Sequence, residues 1–186
     1  MKINYKQTIS ACFIGYIIQA IVNNFVPLLF VTFQKSYSIE LSKITVLITI
    51  NFVIQLCIDL ASAYFIDKIG YRASALIAHG CSAAGLILLT ILPELLPSAY
   101  AGIVISVIIY AIGGGLLEVL LSPIIEACPT ENKEKAMSLL HSFYCWGHMG
   151  VVLLSTAFFA IFGIENWKAL ALIWAAVPVF NGIFFT

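Results

Sequence analysis

Six long apolar runs, at about 8–33, 42–66, 73–92, 98–124, 136–163 and 167–185, govern what this chain can become. Each is close to the ~17–25 residues with which a helix crosses ~30 Å of hydrocarbon. The punctuation between them is polar: QKSYSIELSK, DKIGYR, PELLPS, ACPTENKEK and GIENWK. Strands are excluded, because the runs are too long and lack period-two alternation. Helices also satisfy their own backbone hydrogen bonds in lipid, which isolated strands cannot do. The expected fold is therefore all-α, a multi-pass membrane protein with six transmembrane helices.

Composition closes the soluble alternative. Of 186 residues, 62% are hydrophobic and 10% charged, against ~25% charged in an average globular domain. Nine basic residues balance nine acidic ones, which gives no argument for a nucleic-acid partner and leaves the lipid bilayer as the first one. The first run is far longer than the ~7–15 apolar residues of a signal peptide. It also carries Gln19, Asn23 and Asn24, so it reads as a permanent span. Cys12, Cys57, Cys81, Cys128 and Cys145 are odd in number and form no C-x-x-C pair. They read as small core residues rather than a disulfide framework or zinc cluster.

Lysine and arginine orient the spans. With the N-terminus inside, cytoplasmic segments hold Lys2, Lys6, Lys68, Arg72, Lys133 and Lys135, and outer loops hold Lys35, Lys43 and Lys168. This favours cytoplasmic termini in a plasma (cell inner) membrane. Trp167 and Tyr100, at outer span ends, are expected interfacial anchors.

Polar groups within the spans carry the chemistry. A charged side chain at a helix centre costs at least ~2.5–3.5 kcal/mol, so such groups usually face protein or a water-filled cavity. Asp59, Glu118, His79, His141 and His148 qualify. At ~1.5 Å of rise per residue, Asp59 and His79 share a depth of ~10 Å below the inner face, which makes a contact between them plausible. Glu118 and His141 also share a level, and His148 lies two turns beyond on the same side. A carboxylate facing imidazoles in low dielectric would be strongly coupled to them, which suits proton carriage. The alternative is a satisfied polar pair that fixes helix packing. A metal site from Glu118, His141 and His148 lacks a closely spaced ligand motif, so no metal or other cofactor is expected.

Asn51, Gln55 and Asp59 recur every four residues along span two, hence on one face. Tyr16, Gln19 and Asn23 form a second stripe on span one, with Asn24 adjacent and Pro27 one turn on. Such stripes are either interhelical glue or a cavity lining. Span four reads Gly113-Gly114-Gly115, Glu118, Ser122-Pro123, a pattern that permits close approach and local unwinding. Span five carries Phe143, Tyr144 and Trp146 beside its histidines, and aromatic faces suit a sugar ring as well as ordinary packing.

The segment Ala63-Tyr-Phe-Ile-Asp67-Lys68-Ile-Gly70-Tyr-Arg72 resembles the signature loop of the major facilitator superfamily, G-x-x-x-D-R/K-x-G-x-R/K, with Ala63 for the leading glycine. Asp67 is expected to cap the start of span three. Gly114-Gly115-Leu-Leu-Glu118-Val-Leu-Leu-Ser122-Pro123 resembles the E-x-x-x-N-P element of fucose-permease-like members, with Ser122 for asparagine. Leu139-Leu140-His141-Ser142-Phe143 followed by Gly147 resembles their segment after the central loop. The resemblance implies a carrier of a sugar or similar small solute, working by alternating access, often as a proton symporter. It assigns proton coupling to Glu118, a polar cavity position to His141, and the gating loop to Asp67, Lys68, Gly70 and Arg72. Those permeases carry an aspartate near Asn23, which cannot titrate. It further implies twelve spans in two halves, each a 3+3 inverted repeat. Residues 1–186 then form the N-terminal half and partner a missing C-terminal half.

The candidate solute-binding set is Gln19, Asn23, Asn24, Asn51, Gln55, Glu118, His141, Tyr144, Trp146 and His148. Two other readings stand beside a non-enzymatic carrier. One is an intramembrane enzyme or metal-dependent protein using Glu118, His141 and His148. The other is a structural subunit whose polar residues are packing glue.

Overall fold

The computed structural model describes residues 5–129 and 132–185, together with the backbone but not the side chain of Ala63. Lys2, one of the residues that favour cytoplasmic termini, lies outside them. Seven α-helices are present among the described residues: α1 (Tyr5–Leu28), α2 (Phe30–Tyr37), α3 (Leu41–Ile69), α4 (Tyr71–Leu95), α5 (Ala99–Ala127), α6 (Lys133–Phe162) and α7 (Trp167–Phe184). A single 3-10 turn, Ile164–Asn166, precedes α7. Six segments are long and apolar enough to cross a membrane, and the chain is an integral, multi-pass, all-α membrane protein.

The first apolar run is not one helix. It breaks at Leu29, two residues after Pro27, and continues as α2 to Tyr37, beyond the expected limit at residue 33. Proline supplies no amide hydrogen and crowds the preceding turn. The chain compensates with a tighter bond from the Leu29 amide to the Val26 carbonyl, 2.9 Å. Pro123 has no such effect, and α5 runs unbroken through Gly113–Gly115 and past the proline. The expected unwinding of span four does not occur, because these glycines lie against neighbouring helices.

That role is close approach. In lipid, helices gain little from apolar burial against one another, so contact depends on small residues that let backbones meet. A Cβ at Gly85 of α4 would lie 2.5 Å from the Tyr110 amide nitrogen of α5, and one at Gly102 would lie 2.5 Å from the Leu92 carbonyl carbon. A Cβ at Gly113 would meet the Ala78 carbonyl oxygen at 2.6 Å. Further along α5, Gly114 and Gly115 make room for Gln55 and Ile58 of α3. Gly147 of α6 admits Ile17 and Ala20 of α1.

These contacts give the bundle its symmetry. The central helices α1 and α5 are the most enclosed, while α3 and α6 are the least. The second helix of each half packs on the first helix of the other half: α3 on α5, and α6 on α1. This exchange fits two inverted three-span repeats, α1–α4 (α1 and α2 forming one broken run) and α5–α7. The junctions repeat as well. Gly70 (φ 84°, ψ 152°) joins α3 to α4, and Gly163 (φ 83°, ψ 151°) joins α6 to the turn before α7. Each donates its amide to the carbonyl four residues back, Ile66 and Phe159, at 2.8 and 3.0 Å. The positive φ strains any residue with a Cβ, so both junctions favour glycine.

Polar ties hold the two ends. Arg72 donates from Nε to the Phe185 carbonyl at 2.8 Å, joining the start of α4 to the end of α7. At the opposite end Lys168 pairs with Glu94, and Tyr100 donates to the Lys43 carbonyl at 3.1 Å. Asp67 lies exposed in the last turn of α3, and α4 has no side-chain cap. The expected Asp67 cap is therefore not made: the one-residue turn at Gly70 leaves α4 no preceding loop from which to cap. Trp167 is 4% exposed and meets the Phe33 ring edge-on at 5.5 Å, so it packs in the bundle rather than anchoring to lipid. Cys12 and Cys128 are buried as expected, whereas Cys57 and Cys145 are exposed on the open helices α3 and α6.

The seam predicts an asymmetry among glycines. Gly85→Ala should lower stability in detergent by about 1–3 kcal/mol, the usual cost of overpacking. Gly80→Ala, where an added Cβ meets nothing within 4 Å, should be neutral or stabilising by up to ~1 kcal/mol. Thermal unfolding of both variants would check this.

Candidate functional site

Three hydrogen-bonded groups of polar side chains meet along α1. Nearest the start of α1, Gln19 donates from Nε2 to Glu118 Oε2 at 3.0 Å. One turn on, Asn23 Oδ1 accepts from both Asn51 Nδ2 (3.0 Å) and Gln55 Nε2 (2.8 Å). Beside it, Asn24 Nδ2 lies 2.7 Å from His148 Nδ1 and also donates to the Ala20 carbonyl at 2.7 Å. The stripes on spans one and two thus face each other, with Asn23 as the shared acceptor.

Helical spacing makes this possible. Gln19, Asn23 and Tyr16 recur at three- and four-residue steps, so all leave α1 on related faces. Asn51 and Gln55 are four apart on α3, directly opposite. Gln19, Asn51 and Gln55 are buried, whereas Glu118 is exposed although the residues around it on α5 are mostly enclosed. Glu118 therefore points from the bundle onto an open face flanked by α3 and α6. Asp59, four residues beyond Gln55, lies within electrostatic reach of Glu118.

Aromatic side chains border the same face. The Tyr16 hydroxyl lies 3.4 Å from that of Ser122, and its ring is 5.4 Å from Tyr144 and 6.0 Å from His141. Tyr144 meets His148 edge-on at 4.3 Å and interacts with Asn23 through its phenol. The site therefore offers amide donors and acceptors, hydroxyls, the Glu118 carboxylate with that of Asp59 nearby, two imidazoles and aromatic faces. That inventory suits a small polar ligand with apolar patches.

Several sequence expectations need correction. Asp59 does not reach His79. The histidine is 2% exposed, its Nε2 lies 2.8 Å from Asn181 Nδ2 on α7, and its Nδ1 faces the Ala75 carbonyl at 2.7 Å. Equal depth was insufficient, because α4 turns this face towards α7 while α3 leans on α5. Glu118 does not bond an imidazole either: Gln19 occupies it, Asn24 holds His148, and His141 is exposed beside Tyr16. Among the described residues, no three His, Cys, Asp or Glu side chains stand close enough to share a metal ion. Trp146 is 58% exposed and lines a separate apolar recess of about 190 Å³ with Phe143, Leu154 and Trp174. It lies two residues from His148, on nearly the opposite side of α6.

Asn181 was missed as a partner. Its Nδ2 also donates to the Ala11 carbonyl at 3.0 Å, tying α7, α4 and α1 together. An amide inside an otherwise apolar run was the available signal, the same one that marked Asn51.

Asn23 is the most stringent position in the cluster. Asn23→Leu should strand two buried amide donors and cost about 1–3 kcal/mol. Asn23→Asp keeps the accepting oxygens and should retain most of the stability. Detergent melting curves of the two variants would distinguish these outcomes.

A search of curated proteins finds no match to this chain. A family model described as Major Facilitator Superfamily matches residues 12–186, a stretch that includes the Gly70 junction, every residue of the polar cluster and all but the first seven residues of α1. An open polar face on a bundle of two inverted three-span repeats is the architecture of membrane carriers of small solutes, and this chain belongs to the major facilitator superfamily.

Proposed function

We propose that this chain is the N-terminal six-helix half of a secondary active carrier, with both termini cytoplasmic, that moves a small neutral polar solute, a sugar or close relative, by alternating access. The observation that carries this reading is the convergence of Gln19, Asn23, Asn51, Gln55 and His148 around α1, beside the face onto which the exposed Glu118 opens. Interhelical side-chain bonds in membranes average only ~0.6 kcal/mol, so packing alone is a weak reason to keep so many amides there. Amides and hydroxyls that both donate and accept match a polyol, and the Tyr144 ring offers a surface for its C–H face. Trp146 has no part in this set.

Glu118 is assigned the coupling role. It is the more exposed of the two carboxylates beside the cluster, and Gln19 donates a hydrogen bond to it. Protonation would remove its charge as the face closes on the solute, so that carboxyl and solute cross together. Asn23, held by two amides, supplies shape rather than a proton. Arg72, tied to the end of α7, would hold the bundle in one state, with Asp67, Lys68 and Gly70 forming the loop that moves with it.

In the full-length protein, Glu118→Gln should abolish uptake against a gradient and remove its pH dependence, while solute exchange and binding persist. Uptake in proteoliposomes with and without an imposed pH gradient tests this. Accumulation that still follows the pH gradient in the variant would sink the coupling role.

A further inference from the structure

Away from the polar face, a cavity of about 630 Å³ opens at the end of the bundle where α2, the end of α4 and the start of α7 meet. Its walls carry two lysines, Lys35 and Lys168, and two glutamates, Glu94 and Glu165. Lys168 pairs with Glu94, whereas Lys35 and Glu165 make no ion pair among the described residues. One cation and one anion therefore remain uncommitted on the wall of a single cavity of ligand size.

The remaining lining says what kind of ligand fits. Ser36 and Tyr37 add hydroxyls. Burial pushes the Tyr37 phenol above its usual range, against the smaller opposing pull of Lys168, so it stays a hydrogen-bond donor at neutral pH. Val31 and Ile164, 55% and 39% exposed, add apolar surface to the lining. Charged, hydroxyl and apolar side chains thus share one cavity at the end of a membrane-spanning bundle, where lipid head groups lie.

We propose that this cavity binds the head group of a zwitterionic phospholipid with a primary amine. The phosphate would lie between Lys35 and Lys168 with the Tyr37 hydroxyl donating to it, and the ammonium would meet Glu165. Exposed Val31 and Ile164 would receive the start of the acyl chains. Equal numbers of lysines and glutamates disfavour an anionic lipid such as phosphatidylglycerol, whose hydroxyls bring no positive charge to the carboxylates. A quaternary ammonium has no N–H to donate to Glu165 and is held less well. The site is independent of the solute path.

Native mass spectrometry of the full-length protein, stripped of lipid and titrated with phosphatidylethanolamine, phosphatidylcholine or phosphatidylglycerol, tests the assignment. Phosphatidylethanolamine should be retained best, and Lys35→Ala or Glu165→Gln should each weaken retention about fivefold, the equivalent of ~1 kcal/mol for an exposed ion pair. Both side chains are at the surface, and unchanged melting temperatures in lipid-free detergent would confirm that the variants fold. Equal retention of the three lipids, or unaltered retention in both variants, would overturn the proposal. So would equally tight binding of soluble phosphoethanolamine, which lacks the acyl chains.

Discussion

Helices surrounded by lipid have little hydrophobic reason to adhere, so their assembly depends on how closely their backbones can approach. In this chain the α4–α5 seam meets that requirement through Gly85, Gly102 and Gly113, each placed where a Cβ would strike the partner's backbone. The neighbouring contacts follow from the same device, with Gly114 and Gly115 seating α3 and Gly147 seating α6. A central pair of helices, α1 and α5, is enclosed as a result. The two helices that lean on them keep an exposed face.

That exposed face gives the polar residues their meaning. Were α3 and α6 fully enclosed, the Asn23–Asn51–Gln55 cluster would be an ordinary buried network holding helices together. Beside an exposed Glu118, the proposed function makes it one wall of a solute path. The amides satisfy one another across the helices, as lipid would not, yet not completely: Gln19 Oε1 and Asn51 Oδ1 are buried without a partner. Gln19 shows both conditions in one side chain, its Nε2 being committed to Glu118.

The repeat relation appears most clearly in the backbone. Gly70 and Gly163 share nearly the same dihedrals and the same closing hydrogen bond, although the residues around them differ. Sequence similarity between the repeats is faint because almost any apolar side chain will face lipid. A positive φ tolerates far fewer residues, so the junctions keep what the spans have lost.

Apolar run length and the bilayer's intolerance of unpaired backbone groups determined the six spans, the all-α class and the candidate polar stripes from the sequence alone. The i, i+4 spacing of Asn51 and Gln55 placed them on one face without any coordinates. What the sequence could not supply was rotation about each helix axis, which decides who meets whom. Depth paired Asp59 with His79 and Glu118 with His141; packing instead turned His79 to Asn181, gave Glu118 to Gln19 and His148 to Asn24. It also turned Trp146 away from His148 and Tyr144, into a recess with Phe143, and left α5 unbroken through its glycines. Span length and depth are one-dimensional and follow from composition, whereas rotation is fixed by glycine contacts between residues far apart in the chain.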